Sequence, residues 1–142
     1  MSDYTKIIEM LNKVLEQEHA CSIRYATHAA MVTGPYAETV AARLKEISGD
    51  EVLHAEKLRD RILALGGTPS MNVSLEDLKY GANLEEMLAI NIAEEKHAIS
   101  EYLKILRETS EENVILYQTI QEIIRDEQEH LEELENLVVE NN

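Results

Sequence analysis

Two stretches of the sequence, GDEVLHAEKL at Gly49–Leu58 and RDEQEHLEEL at Arg125–Leu134, carry one pattern, Asp-Glu-x-x-His-x-Glu-x-Leu, with every matching residue 76 positions apart. On a helix, Glu51 and His54 lie one turn apart on a single face, as do Glu127 and His130. Apolar residues continue that face on both sides: Ile47 and Leu58 around the first pair, Ile123 and Leu134 around the second. A polar pair embedded in an apolar stripe, present twice, makes the two halves of the chain equivalent.

Outward from these motifs the apolar residues recur at helical spacing. A first helix is expected from about Thr5 to Val32, with Ile8, Leu11, Leu15, Tyr25 and Ala29 on its stripe. Thr33-Gly34-Pro35 then reads as a tight turn, because Gly caps a helix end and Pro begins the next helix. The second helix runs from about Tyr36 to Leu65 and stops at Gly66-Gly67-Thr68-Pro69. Gly66–Ala82 is irregular, apart from a short helix expected to begin at Ser74. Asn83, with Glu86 three residues on, caps a third helix reaching about Glu108. Ser110–Asn113 separates it from a fourth, from about Val114 to Val139.

Two short connections and one of 17 residues predict two antiparallel helical hairpins joined by a crossover along the bundle. The expected fold is therefore all-α: one four-helix-bundle domain spanning residues 1–142. Its composition agrees, with no Phe or Trp, five Gly and two Pro.

Twenty-eight acidic against thirteen basic side chains give a formal charge of -15, which opposes binding to nucleic acid or an anionic membrane and favours cations. A single cysteine, Cys21, rules out a four-cysteine metal site within one chain. No apolar run reaches the length of a membrane span, and the first residues lack a secretory signal pattern, so a cytoplasmic location is expected.

The first and third stripes also carry carboxylates: Glu18 between Leu15 and Ser22, and Glu94 between Ile90 and Ala98. Glu18 and Glu51 are 33 residues apart and centred on the Gly34-Pro35 turn, while Glu94 and Glu127 are 33 apart and centred on the Ser110 break. In antiparallel hairpins such residues lie side by side. Glu18, Glu51, His54, Glu94, Glu127 and His130 are thus expected to converge on a pseudo-twofold site.

Four bare carboxylates at one level of an apolar core would repel one another and resist desolvation. Two divalent cations neutralise them, and two ferric ions with a bridging oxide match six charges against six. One Glu from each of two helices plus Glu-x-x-His from each of the others is the ligand pattern of di-iron and di-manganese bundles. A lone Glu-x-x-His is usually a solvated surface pair; two copies in register with two further Glu are far more specific.

With these residues placed, the sequence from about Tyr4 to Val139 resembles bacterioferritin, within the ferritin-like superfamily. LNKVL at Leu11–Leu15 and Tyr25 add to the likeness. The resemblance implies a ferroxidase centre holding two iron ions per subunit, oxidation of ferrous iron by dioxygen or hydrogen peroxide, storage in a hollow homo-oligomeric shell, and an electron-relay role for Tyr25. Haem-binding members use a Met immediately after the first Glu of the second-helix motif. Val52 stands there, so haem at that site is not expected. The family's fifth helix has no counterpart before Asn142, which makes a 12-subunit shell an alternative to one of 24.

Near the expected site, Cys21 reads as a small buried residue or an outer neighbour of the metals, and His97 as an outer neighbour or a third imidazole ligand, where rubrerythrin-like proteins carry a carboxylate. Glu46 and Asp50 read as a solvated acidic face or an inner-surface iron stop, and His19 and His28 as surface or interface residues. The competing activity is a rubrerythrin-like di-iron peroxidase without storage, which would need a separate electron donor because no Cys-x-x-Cys pairs are present. DNA coating finds no Lys-rich tail to support it.

Overall fold

The computed structural model describes residues 4–140 and contains four long α-helices: α1 (Thr5–Met31), α2 (Ala37–Ala64), α3 (Leu84–Glu108) and α4 (Val114–Glu140). Each boundary lies within a residue or two of the expected one. Gly34, at φ 107, turns the chain between α1 and α2 in the left-handed region that glycine tolerates. Asn83 caps α3 by accepting a hydrogen bond from the Glu86 backbone N–H at 2.9 Å. The short helix expected at Ser74 is one 3₁₀ turn, Leu75–Asp77, because the Ser74 hydroxyl donates to Asp77 Oδ2 instead of capping a longer element.

α1 packs mainly on α2, and α3 on α4. Contacts between the hairpins fix their direction. Along α1 and α3 the pairs run Lys6–Glu108, Lys13–Glu101, Tyr25–Glu95 and Arg24–Asn91, so these helices are antiparallel. Along α2 and α4 they run Arg43–Glu133, Asp50–His130, His54–Asp126 and Lys57–Glu122, again antiparallel. Since α1 opposes both α2 and α3, those two helices run the same way, and the chain between them must travel the bundle's length.

That crossover is held along α1. Asn12 donates to the Thr68 carbonyl, Ser70 to Glu16, His19 to the Asn72 carbonyl, Arg24 to the Asp77 carbonyl, and His28 to the Lys79 carbonyl. The last two side chains are buried with Asn91, whose oxygen accepts from Arg24 Nε at 2.8 Å and whose amide donates to His28 Nδ1 at 2.9 Å. His28 is therefore not a surface residue: its Nε2–H and Nδ1 are both used, and burial keeps its pKa low. At the other end Gly67 packs so tightly on Ile8 and Ile62 that a Cβ would clash.

The apolar core has two parts. One contains Leu11, Leu15, Leu58, Ile62, Ile105, Leu116 and Ile120; the other contains Tyr25, Val40, Leu44, Ile47, Leu88 and Leu134. Glu18, Glu51, His54, Glu127 and His130 occupy the level between them in all the helices concerned. Helical register and burial of both apolar halves thus position the polar layer.

Replacing Arg24 by Ala would leave the buried Asn91 oxygen and Asp77 carbonyl without their donor, which costs ~2–5 kcal/mol in urea unfolding. Arg125→Ala, on the exposed face of α4, should stay within ~0.5 kcal/mol. Equal effects of the two would show that the crossover is not held through Arg24.

Candidate metal centre

Five of the six expected side chains meet at the polar layer, all buried: Glu18, Glu51, His54, Glu127 and His130. Glu95 joins them. Their ligand atoms form two four-residue sets, Glu18–Glu51–His54–Glu127 and Glu51–Glu95–Glu127–His130, within each of which the atoms lie inside 4.8 Å of one another. Glu51 and Glu127 belong to both sets, one from α2 and one from α4. Each set thus has one carboxylate of its own, one imidazole, and a share of two common carboxylates.

Glu94 does not take part. It faces the crossover, where Lys79 Nζ donates to its Oε1 at 2.6 Å. The reason is rotation of α3: its buried stripe comprises Met87 and then Leu88, Asn91, Glu95, Ala98, Tyr102 and Ile105, which alternate steps of three and four. At ~100° per residue Glu95 lies ~35° from the centre of that stripe and Glu94 ~65° away on the other side. The sequence held a usable signal. Glu18 is followed by Tyr25 seven residues on, and the α3 residue followed by a Tyr seven on is Glu95, with Tyr102.

The donor atoms fit a pair of cations. Eight buried atoms aimed into the layer have no hydrogen-bond partner: Glu18 Oε2, both oxygens of Glu51, His54 Nδ1, Glu95 Oε2, both oxygens of Glu127, and His130 Nδ1. Buried polar atoms almost always find partners, so such a concentration marks a ligand set. His54 Nδ1 lies 3.4 Å from Glu18 Oε2, 3.4 Å from Glu51 Oε1 and 3.2 Å from Glu127 Oε1. His130 Nδ1 lies 3.4 Å from Glu51 Oε1, 3.6 Å from Glu95 Oε1 and 3.4 Å from Glu127 Oε1. Donors ~2.1 Å from one ion sit ~3.0–3.4 Å apart, close to these spacings.

A second layer orients the donors. His54 Nε2–H donates to Asp126 Oδ2 at 2.8 Å, and His130 Nε2–H donates to Asp50 Oδ2 at 2.9 Å. The Asp of each Asp-Glu-x-x-His motif therefore serves the His of the other, leaving both Nδ1 atoms directed inward. Asp50 is more than a solvated acid. Tyr25, fully buried, donates to Glu95 Oε1 at 2.6 Å, and Tyr102 donates to Glu18 Oε1 at 3.0 Å.

Other candidates fall away from the layer. His97 is exposed and pairs with Glu101, so it offers no third imidazole. Cys21 is buried beside Arg24, which donates to its sulfur at 3.4 Å, and burial pushes its thiol pKa well up. Glu46 is exposed and pairs with Arg43. His19 is partly buried, tying Arg59 to the crossover.

Without metal the layer retains protons. Burial pushes Glu18 up to about 8, reinforced by the charge of Glu51. Burial, then the charges of Glu51, Glu95 and Glu18, raise Glu127 well above the carboxylate range. Burial opposes charge on His54 and His130, but the surrounding carboxylates outweigh it and raise both. Cations must displace these protons.

Glu95→Ala should reduce tight cobalt(II) binding from two ions per chain to one, whereas Glu94→Ala should leave two; the reverse would reinstate Glu94. Between its ordinary 4.5 and about 8, Glu18 holds a proton in the folded chain that the unfolded chain lacks. Raising the pH through that window therefore lowers the metal-free melting temperature. With zinc bound the decline should shrink, and a metal-free melting temperature that rises instead would contradict the arrangement.

Comparison with known proteins places the chain. Residues 8–141 match the ferritin family, described as a ferritin-like domain. Bacterioferritin of Rhodobacter capsulatus is 30% identical over 139 residues, covering 97% of this chain and 86% of the relative. Bacterioferritin of Desulfovibrio desulfuricans is 31% identical, covering 93% and 74%. A solved structure from Bacillus anthracis str. Ames, titled as ferritin-like diiron-carboxylate proteins, superposes with a TM-score of 0.90 at 32% identity, covering 97% of this chain and 99% of that one. With four α-helices, a buried carboxylate–histidine layer and a family match along nearly its whole length, the chain belongs to the ferritin-like family.

Proposed function

We propose that this chain is one ferritin-like di-iron domain acting as a ferroxidase and iron-storage subunit, oxidising ferrous iron within its own bundle with dioxygen or hydrogen peroxide. The carrying observation is the set of eight unpartnered buried donor atoms, arranged as two four-residue groups that share Glu51 and Glu127. The names of its bacterioferritin and diiron-carboxylate relatives support iron as the metal.

In this reading two ferrous ions are the substrate. Glu18 with His54, and Glu95 with His130, hold one ion each, while Glu51 and Glu127 span both and keep them ~3.5–4 Å apart. One oxidant can then collect an electron from each ion. Asp50 and Asp126 keep the imidazoles directed at the ions, and Tyr25 relays an electron, a role its hydrogen bond to Glu95 supports. The formal charge of -15 draws cations toward the protein.

Exposed Val52, Leu53, Leu63, Met71 and Tyr80 supply apolar surface for assembly, consistent with a homo-oligomeric shell of 12 or 24 subunits. Val52 offers no axial ligand, so no haem is assigned there. Among the described residues no helix is long and apolar enough to cross a membrane, and the reading places the shell in the cytoplasm.

Anaerobic titration should saturate at two ferrous ions per chain, and added oxidant should convert both in a rapid phase. Glu127→Ala should slow that phase at least ~100-fold, since even outer neighbours of metal ligands are worth 10–100-fold. Saturation far from two ions, or an unaffected variant, would defeat the reading. A dimer that turns over peroxide without retaining iron would favour the rubrerythrin-like peroxidase.

A further inference from the structure

The duplication places two phenols, not one, against the metal layer. Tyr25 on α1 reaches across to Glu95 on α3, and Tyr102 on α3 reaches back to Glu18 on α1, at 2.6 and 3.0 Å. Each tyrosine lies two turns beyond the carboxylate of its own helix, and both are buried, at 0% and 1% exposure. The pseudo-twofold relation exchanges them. Each phenol hydrogen is already directed at an acceptor that belongs to one four-residue group.

The electron count gives this pair a role. Reducing dioxygen to two waters takes four electrons, and two ferrous ions supply two. A centre that stopped there would release hydrogen peroxide beside ferrous iron. Two phenols, each losing one electron, supply the remainder.

We propose that Tyr102 is a second redox-active phenol that joins Tyr25, the relay of the ferroxidase reading on which this rests, so that one dioxygen is reduced to water in a single encounter. The step balances as two Fe(II), two tyrosines, one dioxygen and two protons giving two Fe(III), two tyrosyl radicals and two waters. The O–O bond breaks and four O–H bonds form. Two of the protons leave the phenols along the hydrogen bonds to Glu95 and Glu18, and two come from solvent. Two further ferrous ions, with two protons, return the radicals to tyrosine.

The test compares wild type, Tyr25→Phe, Tyr102→Phe and the double variant. Freeze-quenched samples with two ferrous ions per chain and dioxygen should show a tyrosyl electron-paramagnetic-resonance signal. Each single variant should lose about half of it and the double variant all of it, one electron being drawn from each phenol. Under excess iron, wild type should consume about four ferrous ions per dioxygen, and the double variant about two with hydrogen peroxide accumulating. Two cobalt(II) ions should bind in every variant, because the phenols are not ligands.

An unchanged radical yield and unchanged oxygen stoichiometry in Tyr102→Phe would overturn the assignment. So would loss of cobalt binding in that variant, which would make Tyr102 only a support for Glu18. If wild type oxidises no iron, the ferroxidase reading fails and takes the pair with it. If wild type oxidises iron but Tyr102→Phe is silent, only the pair fails.

Discussion

Four carboxylates buried at one level of an apolar bundle are the constraint on which the rest of this structure depends. Left as anions, they would incur several kcal/mol each in desolvation before any repulsion is counted. The metal-free chain relieves this with protons on Glu18, Glu127 and the two imidazoles, while His130 and His54 outweigh burial and keep Glu51 ionised. Once those protons leave, the same layer offers four negative charges and two neutral imidazoles to a cation. Proton retention and cation binding are therefore two states of one charge problem, which is why the layer can be both foldable without metal and ready to accept it.

Holding that layer requires stiffness on every side. Two apolar half-cores clamp it from above and below, and the helices have no freedom to rotate without exposing one of them. Along its flank the crossover is fastened to α1 by a succession of hydrogen bonds from Asn12 to His28, with Arg24 and Asn91 forming the buried knot. The outer partners repeat the twofold logic: each Asp serves the opposite histidine, and each tyrosine serves the opposite carboxylate. His54, His130, Glu18 and Glu95 are thus each oriented by the half of the chain they do not belong to.

The four helices, their turns and the crossover were legible because amphipathic periodicity and Gly-Pro punctuation are strong local signals. Glu51, His54, Glu127 and His130 were legible from the duplicated motif, and Glu18 from its stripe. Glu94 was not the residue that enters the layer, because adjacent carboxylates differ by only ~100° of helix rotation and hairpin symmetry is not that accurate. Glu95 was recoverable from the Glu-x₆-Tyr repeat, which ties it to Tyr102. The burial of His28 was not recoverable, since its partners Lys79 and Asn91 come from the crossover and another helix. Nor was the pairing of Asp50 and Asp126 with histidines across the bundle, which depends on how α2 faces α4.

Family membership and site geometry point the same way, toward a helical bundle whose buried carboxylate–histidine layer can hold cations. The most direct measurement is anomalous diffraction at the iron edge from crystals loaded anaerobically with ferrous iron. The account predicts two peaks per chain, ~3.5–4 Å apart, one enclosed by Glu18, Glu51, His54 and Glu127 and the other by Glu51, Glu95, Glu127 and His130. Iron found only on the acidic surface, or a single ion bound through Glu94, would contradict it.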